Sequence, residues 1–221
     1  MNCEVFYLKE LEVEHYQIRE VLRCILHTIM FNRALGLVRP RDVDSELFEI
    51  TYVQCGDSAT EKKIEEKIDH FLAWVEKYPN KKSRVCLSFY ETRSKHMAWF
   101  SKVERLYWEQ WCIQLHVVPP PVSRSSSTRK IFDSAQLGDN GELMRDEQQR
   151  RHATLEAALR EVITQVLLIV NEKKDHIPPV QQPDVVISFP FEISIPSSSD
   201  SSFGMDVFKR LLQTGPPTML N

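Results

Sequence analysis

Cysteine and histidine are the side chains of this sequence that could supply a nucleophile or hold a metal. The 221 residues contain 5 cysteines and 7 histidines, scattered without a C-x-x-C pair or an H-E-x-x-H motif. This spacing argues against a zinc site and against a disulfide framework. Walker A, G-x-G-x-x-G and G-x-S-x-G motifs are also absent, and with only 6 glycines a phosphate-binding loop is not expected.

The nearest approach to a catalytic pair is Cys112 and His116, which share a predicted strand. Their spacing corresponds to about 13 Å, at roughly 3.3 Å per residue, which is beyond hydrogen-bond reach. A cysteine and a histidine that are far apart in the sequence can still meet in the folded protein. A cysteine hydrolase therefore stays open as an alternative. From the absent motifs we expect no catalytic residue, no metal and no cofactor.

Three of the 4 tryptophans lie in the stretch Ser94–Trp111 (SKHMAWFSKVERLYWEQW). Trp99 and Phe100 fall between two predicted strands and are flanked by the polar segments Ser94–His96 and Ser101–Lys102. A connection normally runs over the surface, so a large apolar pair there is either a plug folded into the core or a contact site. We favour a partner-binding site formed by Trp99 and Phe100, with Trp108 and Trp111 belonging to the next strand.

Hydrophobic periodicity predicts the elements that position this pair. In the first strand, Val5, Tyr7, Leu11 and Val13 are expected to face inward. A capping box is expected at Ser58–Glu61, and Pro190 indicates an edge strand or a bulge. The third and fourth strands are expected to be antiparallel, giving an α+β domain with helices on one sheet face. Strands are predicted over 4–14, 47–53, 84–90, 111–118 and 184–195, and helices over 16–31, 58–78 and 142–174.

Composition limits the partners and the compartment. The net charge is -3 and no Lys/Arg run exceeds two residues, so nucleic acid is not an expected partner. No signal peptide or membrane-spanning segment is apparent, which predicts a cytoplasmic protein. We expect one domain over 1–196, a flexible Pro/Ser-rich insertion at about 119–141, and a tail over 197–221 that carries a short helix.

The order of elements, with particular residues, resembles the autophagy-related protein 101 family. The resemblance covers nearly the whole chain, and the ordered combination is specific although each piece is short. It includes Met1–Cys3 (MNC), Ile25–Ile29 (ILHTI), Phe48–Val53 (FEITYV), Leu87–Tyr90 (LSFY), Trp99–Ser101 (WFS), Trp108–Trp111 (WEQW), Leu115–Val118 (LHVV), Ile187–Phe189 (ISF) and Lys209–Leu212 (KRLL).

The resemblance implies a HORMA domain with a mainly antiparallel sheet and three main helices packed on one face. It implies a scaffold subunit of the autophagy-initiating kinase complex and not an enzyme. The expected partners are the HORMA domain of autophagy-related protein 13 and downstream autophagy factors, which an exposed WF finger recruits. Trp99 and Phe100 correspond to that finger, and the expected location is the phagophore assembly site.

One alternative remains within the binding proteins. A HORMA adaptor of another pathway, such as a checkpoint protein, would close its C-terminal segment over a peptide. Co-purification with the HORMA domain of autophagy-related protein 13 separates the two hypotheses.

Overall fold

The computed structural model describes residues 3–36, 38–79, 83–97, 100–119, 139–179 and 188–195, with 94–97, 100–102 and 139–144 described by their backbone. The architecture is mixed α+β, with three helices and a mostly antiparallel sheet, and it is consistent with a HORMA-like fold. The strands are β1 (Glu4–Tyr7), β2 (Leu11–Glu14), β3 (Arg41–Asp44), β4 (Thr51–Gln54), β5 (Ser83–Met97), β6 (Phe100–Val118) and β7 (Phe191–Ser194). The helices are α1 (Ile18–Asn32), α2 (Ser58–Lys77) and α3 (Asp139–Glu172).

The main sheet is built around β6. Its strand order is β1-β6-β5-β7, with β2 also pairing with β6. Strands β5 and β6 are antiparallel, as predicted, and β7 lies at an edge, as Pro190 indicated. Strands β1 and β2 instead run parallel to β6. The predicted helix at 142–174 is present as α3, the longest of the described helices.

The predicted first strand is in fact two strands, β1 and β2. The prediction of which side chains face inward was wrong for β1. The side chains of Phe6 and Leu8 are buried, whereas Tyr7 is 58% exposed. Beyond Leu8 the next buried residue is Leu11, three positions on, so the alternation shifts by one residue where β1 ends. Because strand side chains alternate with period two, that shift exchanges the two faces.

The predicted strand at 47–53 is shorter than expected but keeps its buried face. Strand β4 starts at Thr51 and pairs antiparallel with β3 as a separate two-stranded sheet. The preceding residues form a turn in which the Ser45 amide donates to the Ile50 carbonyl oxygen over 2.9 Å. Phe48, Ile50 and Tyr52 are nevertheless all buried, as the alternation predicted.

Helix α1 is the centre of the core. It packs against α2, α3 and β4, and nearly every side chain from Ile18 to Met30 is buried. The partly exposed Arg19 and Arg23 mark its one polar side, so α1 is an amphipathic helix with a broad apolar face. The sheet face toward the helices supplies the other half of the core through Val85, Leu87, Phe89, Trp111, Ile113 and Leu115.

His27 is an exception to the apolar character of α1. It is 2% exposed and stacks on Tyr52 with ring centroids 5.6 Å apart. Burial lowers the pKa of His27 to about 4. The unfolded chain therefore binds a proton at His27 between its usual pKa near 6.5 and about pH 4, while the folded chain does not.

We expect this difference to make stability depend on pH. Above about pH 6.5 the contribution of His27 is flat, and below it the free energy of unfolding falls by up to about 1.4 kcal/mol per pH unit. Urea titrations from pH 7 to 4.5 measure the slope. His27→Gln removes this part of the slope, and His116→Gln, at an exposed position, retains it. Parallel curves for wild type and His27→Gln would contradict the assignment.

Helix α2 is capped one residue earlier than predicted. Asp57 is the N-cap, and its carboxylate accepts hydrogen bonds from the Thr60 amide at 3.0 Å and the Thr60 hydroxyl at 2.6 Å. These bonds lower the pKa of Asp57. Ser58 is already the first helical residue, so the Ser58–Glu61 capping box does not form the cap.

The cap predicts a moderate stability effect. Asp57→Ala removes the carboxylate oxygen that accepts both hydrogen bonds and lowers the free energy of unfolding by about 1 kcal/mol. Ser58→Ala, the matched change at the neighbouring position, has an effect within roughly 0.5 kcal/mol. Chemical denaturation of both variants measures the difference, and equal losses would contradict the cap at Asp57.

Candidate partner-binding arm

Strands β5 and β6 form a hairpin that extends beyond the rest of the sheet. They pair from Ser83 opposite Leu115 to Met97 opposite Phe100. The neighbouring strands reach only the near half: β7 pairs with β5 from Cys86 to Phe89, and β1 pairs with β6 from Glu109 to Cys112. Among the described residues, 90–97 and 100–107 therefore have only each other as strand partners. We call these two segments the arm.

The arm corrects the prediction for the stretch around Trp99 and Phe100. Sequence patterns placed a connection there, with the fourth strand beginning in the region of Trp108 and Trp111, whereas β6 begins at Phe100. Phe100 lies opposite Met97 at the end of the arm, where its backbone alone is described. Trp99 lies outside the described residues. The exposure of the Trp99 and Phe100 side chains thus stays a prediction.

A β-bulge separates the arm from the sheet. Phe89 pairs with Glu109 and Tyr90 with Tyr107, so Trp108 is an extra residue in β6. Trp108 is 1% exposed and packs against Phe189, with ring centroids 4.8 Å apart. Bulges bend a strand and increase its twist, so this one sets the direction in which the arm leaves the sheet. The prediction that Trp108 and Trp111 belong to the fold is confirmed.

A buried ion pair holds β6 beside the bulge. The Glu109 carboxylate is fully buried and accepts hydrogen bonds from Arg33 Nε at 3.0 Å and from the Trp111 indole at 2.5 Å. His176 Nε2 lies 2.6 Å from the other carboxylate oxygen. Arg33 also donates to the carbonyl oxygens of Val170 and Lys173 at the end of α3. The cluster joins the ends of α1 and α3 to the strand that carries the arm.

The near end of the arm is also held from the β7 side. Glu192 accepts hydrogen bonds from Arg105 and from the Tyr107 hydroxyl, both at 2.8 Å. The Arg105 guanidinium lies over the Tyr90 ring, 4.8 Å from its centroid, and a hydrogen bond with Tyr107 raises the pKa of Arg105. Farther out, Val103 is 62% exposed. The arm is therefore fixed at its base and solvated beyond it.

The structure does not bring Cys112 and His116 together as a catalytic pair. Cys112 is buried opposite Cys86, whereas His116 is exposed and lies beside Glu12 of β2. In the part of the chain that the structure describes, no three His, Cys, Asp or Glu side chains form a group suited to a metal. None of the described helices is both long and apolar enough to cross a bilayer.

Comparison with known proteins places the chain in a family. The family model for autophagy-related protein 101 matches residues 10–184. The chain belongs to the autophagy-related protein 101 family. Autophagy-related protein 101 of Arabidopsis thaliana is 59% identical over the full length of both chains. The Homo sapiens protein is 26% identical over 53% of this chain and 59% of its own, and that of Schizosaccharomyces pombe is 23% identical over 86% of each.

Membership of the autophagy-related protein 101 family identifies the chain as an autophagy-related protein, and that family is not named for an enzyme.

The Glu109 cluster is the part of the arm's base that sequence reasoning missed. The available signal was Glu109 itself, a charged residue between Trp108 and Trp111 in a segment that is otherwise expected to be buried. Its partners Arg33 and His176 are far away in sequence, so their identity required the structure.

Proposed function

We propose that this chain is a non-catalytic scaffold subunit of the autophagy-initiating kinase complex. It has one HORMA domain over 1–196, which includes an insertion at about 119–141, and a separate tail over 197–221. The HORMA domain pairs with and stabilises the HORMA domain of autophagy-related protein 13. Trp99 and Phe100 recruit downstream autophagy factors, and the protein acts from the cytoplasm at the phagophore assembly site. The observation that carries the proposal is the arm, whose two strands extend beyond the other strands of the sheet as far as the pair Met97 and Phe100.

The geometry of the arm suits an anchor contact. Its strands pair with no other described strand, and Trp108 and Glu109 hold its base in the sheet. Large aromatic residues dominate the energetics of protein interfaces when they enter a partner's pocket. A Trp-Phe pair at this end can therefore bind a partner without being part of the core.

Exposed apolar side chains elsewhere support a separate protein partner. Leu167 and Leu168 on α3 are 40% and 56% exposed, and Tyr7 on β1 is 58% exposed. Gln165 donates to the Tyr7 carbonyl oxygen over 3.2 Å, which holds this part of α3 against the end of β1. Adjacent exposed leucines on a helix suit an interface better than solvent. Tyr7 pairs with Cys112 on the sheet side of the bulge, whereas the arm lies on the other side of it, so the two regions are separate along β6 and can bind different partners.

The heterodimer is tested by co-purification. The full chain and the HORMA domain of autophagy-related protein 13 are each checked for folding by circular dichroism and then run together on size exclusion. We expect one earlier-eluting peak with both chains in equal amounts. Separate elution of two folded proteins would contradict the scaffold function and leave the adaptor of another pathway as the better hypothesis.

The Trp-Phe contact predicts a loss of recruitment without a loss of stability. Trp99→Ala with Phe100→Ala, assayed in the heterodimer, reduces capture of autophagy factors from a cell lysate by about tenfold or more, since anchor residues contribute on the order of 2 kcal/mol each. Quantitative mass spectrometry measures the captured factors. Heterodimer formation and Tm stay at their wild-type values.

The matched control is Val103→Ala, an exposed apolar residue on the same arm, which leaves capture unchanged. A drop in Tm of several degrees for the double variant would show that Trp99 and Phe100 form a plug in the core. Unchanged capture with unchanged Tm would show that the pair binds nothing in this pathway.

A further inference from the structure

Two thiols face each other at the centre of the sheet. Cys86 of β5 lies directly opposite Cys112 of β6, and their Sγ atoms are 3.4 Å apart. Both side chains point away from the helices, because they alternate with the core residues Leu87 and Trp111. Neither cysteine forms part of the hydrophobic core cluster, although their exposures are 0% and 2%.

The backbone at this position suits a bond between the two sulfurs. The Cys112 carbonyl oxygen accepts from the Leu8 amide at 3.0 Å, so it points toward the N-terminal strands and away from β5. In an antiparallel ladder the amide and carbonyl of one residue point to the same side, so Cys86 and Cys112 form a non-hydrogen-bonded pair. Such pairs have Cα atoms about 4.5 Å apart, within the range of about 4.4–6.8 Å found in disulfides. Side-chain rotation alone brings the sulfurs together.

The surroundings distinguish this pair from the other buried thiols. Burial raises the pKa of Cys24 to about 12 and that of Cys55 to about 11, which keeps both protonated. The hydrogen bond from the Cys86 thiol instead lowers the pKa of Cys112. Tyr7, which lies beside Cys112 on the same face, is 58% exposed, so the pair is one side chain away from solvent. A thiolate is the reactive form of cysteine, which favours Cys112 over the others.

We infer that Cys86 and Cys112 are an oxidative modification site, a dithiol that a hydroperoxide converts into a cross-strand disulfide. The Cys112 thiolate attacks the peroxide, the O–O bond breaks, and Cys112 becomes a sulfenic acid while the departing alkoxide takes a proton and leaves as an alcohol. The Cys86 sulfur then attacks the Cys112 sulfur. Hydroxide leaves with the Cys86 proton as water. The two thiols lose two electrons and the peroxide gains them.

The bond joins β5 to β6 on the sheet side of the bulge. It closes a loop that contains the whole arm, so oxidation covalently ties the two strands from which the arm extends. A cross-link that closes a loop of this size stabilises a fold mainly by constraining the unfolded chain. The oxidised protein is therefore expected to unfold at a higher temperature, by about 5 °C or more.

Peroxide treatment of the full chain tests the site. The protein, carrying Cys3→Ala to remove the N-terminal thiol, is treated with hydrogen peroxide, alkylated under denaturing conditions and digested with trypsin. We expect a mass loss of about 2 Da, two hydrogen atoms, and a cross-link between the peptides spanning 85–93 and 106–124. Dithiothreitol reverses both the mass change and the rise in Tm.

The matched variants are Cys86→Val and Cys112→Val, which abolish the cross-link, and Cys55→Ala, which retains it. Should a valine variant fold poorly, the peptide map of the treated parent protein still decides the question. A sulfinic or sulfonic acid at Cys112 without a cross-link would overturn the inference. So would a disulfide to Cys24 or Cys55, or two thiols that stay reduced at peroxide concentrations that oxidise Cys3 in the wild-type chain.

Discussion

Replacing Arg33 with methionine is expected to lower the free energy of unfolding by about 3–5 kcal/mol. The change removes the cation that faces Glu109 and leaves a carboxylate with no solvent exposure and without its guanidinium partner. Breaking a buried pair by removing one partner is costly because the remaining charge stays desolvated. Arg33 also donates to two carbonyl oxygens at the end of α3, and those acceptors lose their donor. Guanidinium denaturation monitored by tryptophan fluorescence measures the change.

A solvated ion pair provides the control. Arg151→Met breaks the exposed pair with Glu147 and is expected to cost no more than about 0.5 kcal/mol. The double variant Arg33→Met with Glu109→Leu removes both charges and is expected to recover part of the single-variant loss. Strictly additive losses would show that the two side chains are not coupled, and an Arg33→Met loss below about 1 kcal/mol would show that the carboxylate is solvated in the folded protein.

Trp108→Ala is expected to have an effect of similar size, about 3–5 kcal/mol, because it leaves a large cavity at the bulge. The indole packs between Phe89 and Phe189, with ring centroids 5.5 and 4.8 Å away. Thermal and chemical unfolding both report the loss. Val103→Ala, on the same strand but 62% exposed, is expected to change stability by less than roughly 0.5 kcal/mol.

Trp108→Phe refines this test. Within the described part of the chain the Trp108 indole nitrogen has no hydrogen-bond partner, so phenylalanine loses packing volume but none of the hydrogen bonds seen there. We expect Trp108→Phe to cost clearly less than Trp108→Ala. Equal costs for the two would indicate that the indole N–H contributes in a way that the packing does not explain. A small cost for Trp108→Ala would contradict its place in the core and would weaken the contrast drawn with Trp99.

The sequence predicted the parts of the fold that have one apolar face. Period-two alternation identified the near halves of β5 and β6 and the buried side of residues 48–52, and the 3.6-residue period identified all three helices. The far half of the hairpin was missed for a physical reason. Residues 91–97 and 100–107 pair only with each other among the described strands, so no hydrophobic alternation marks them, and their pairing follows from the register set nearer the core.

The remaining errors concern features that the hydrophobic pattern of a short segment does not reveal. The inward face of β1 depended on a one-residue shift beyond Leu8, which the Val5 and Tyr7 pattern did not reveal. The cap at Asp57 and the proposed capping box at Ser58 differ by one residue, and both sequences satisfy capping rules. The contact among Arg33, Glu109 and His176 joins three separate elements. For Trp99 and Phe100, the role in partner binding stays a prediction, and the binding experiment tests it.

The parallel pairing of β1 and β2 with β6 has a consequence for how the chain acquires its structure during synthesis. Glu4 is bonded into the sheet beside Glu109, about 100 residues later in the chain. The first two strands therefore have no sheet to join until about half of the 221 residues have left the ribosome, because β6 ends at Val118. Pairings of such long range are slow, and unpaired strand edges are prone to aggregation. The hydrogen bonds of helix α1 are local, so α1 can form before β1 and β2 find their partner strand.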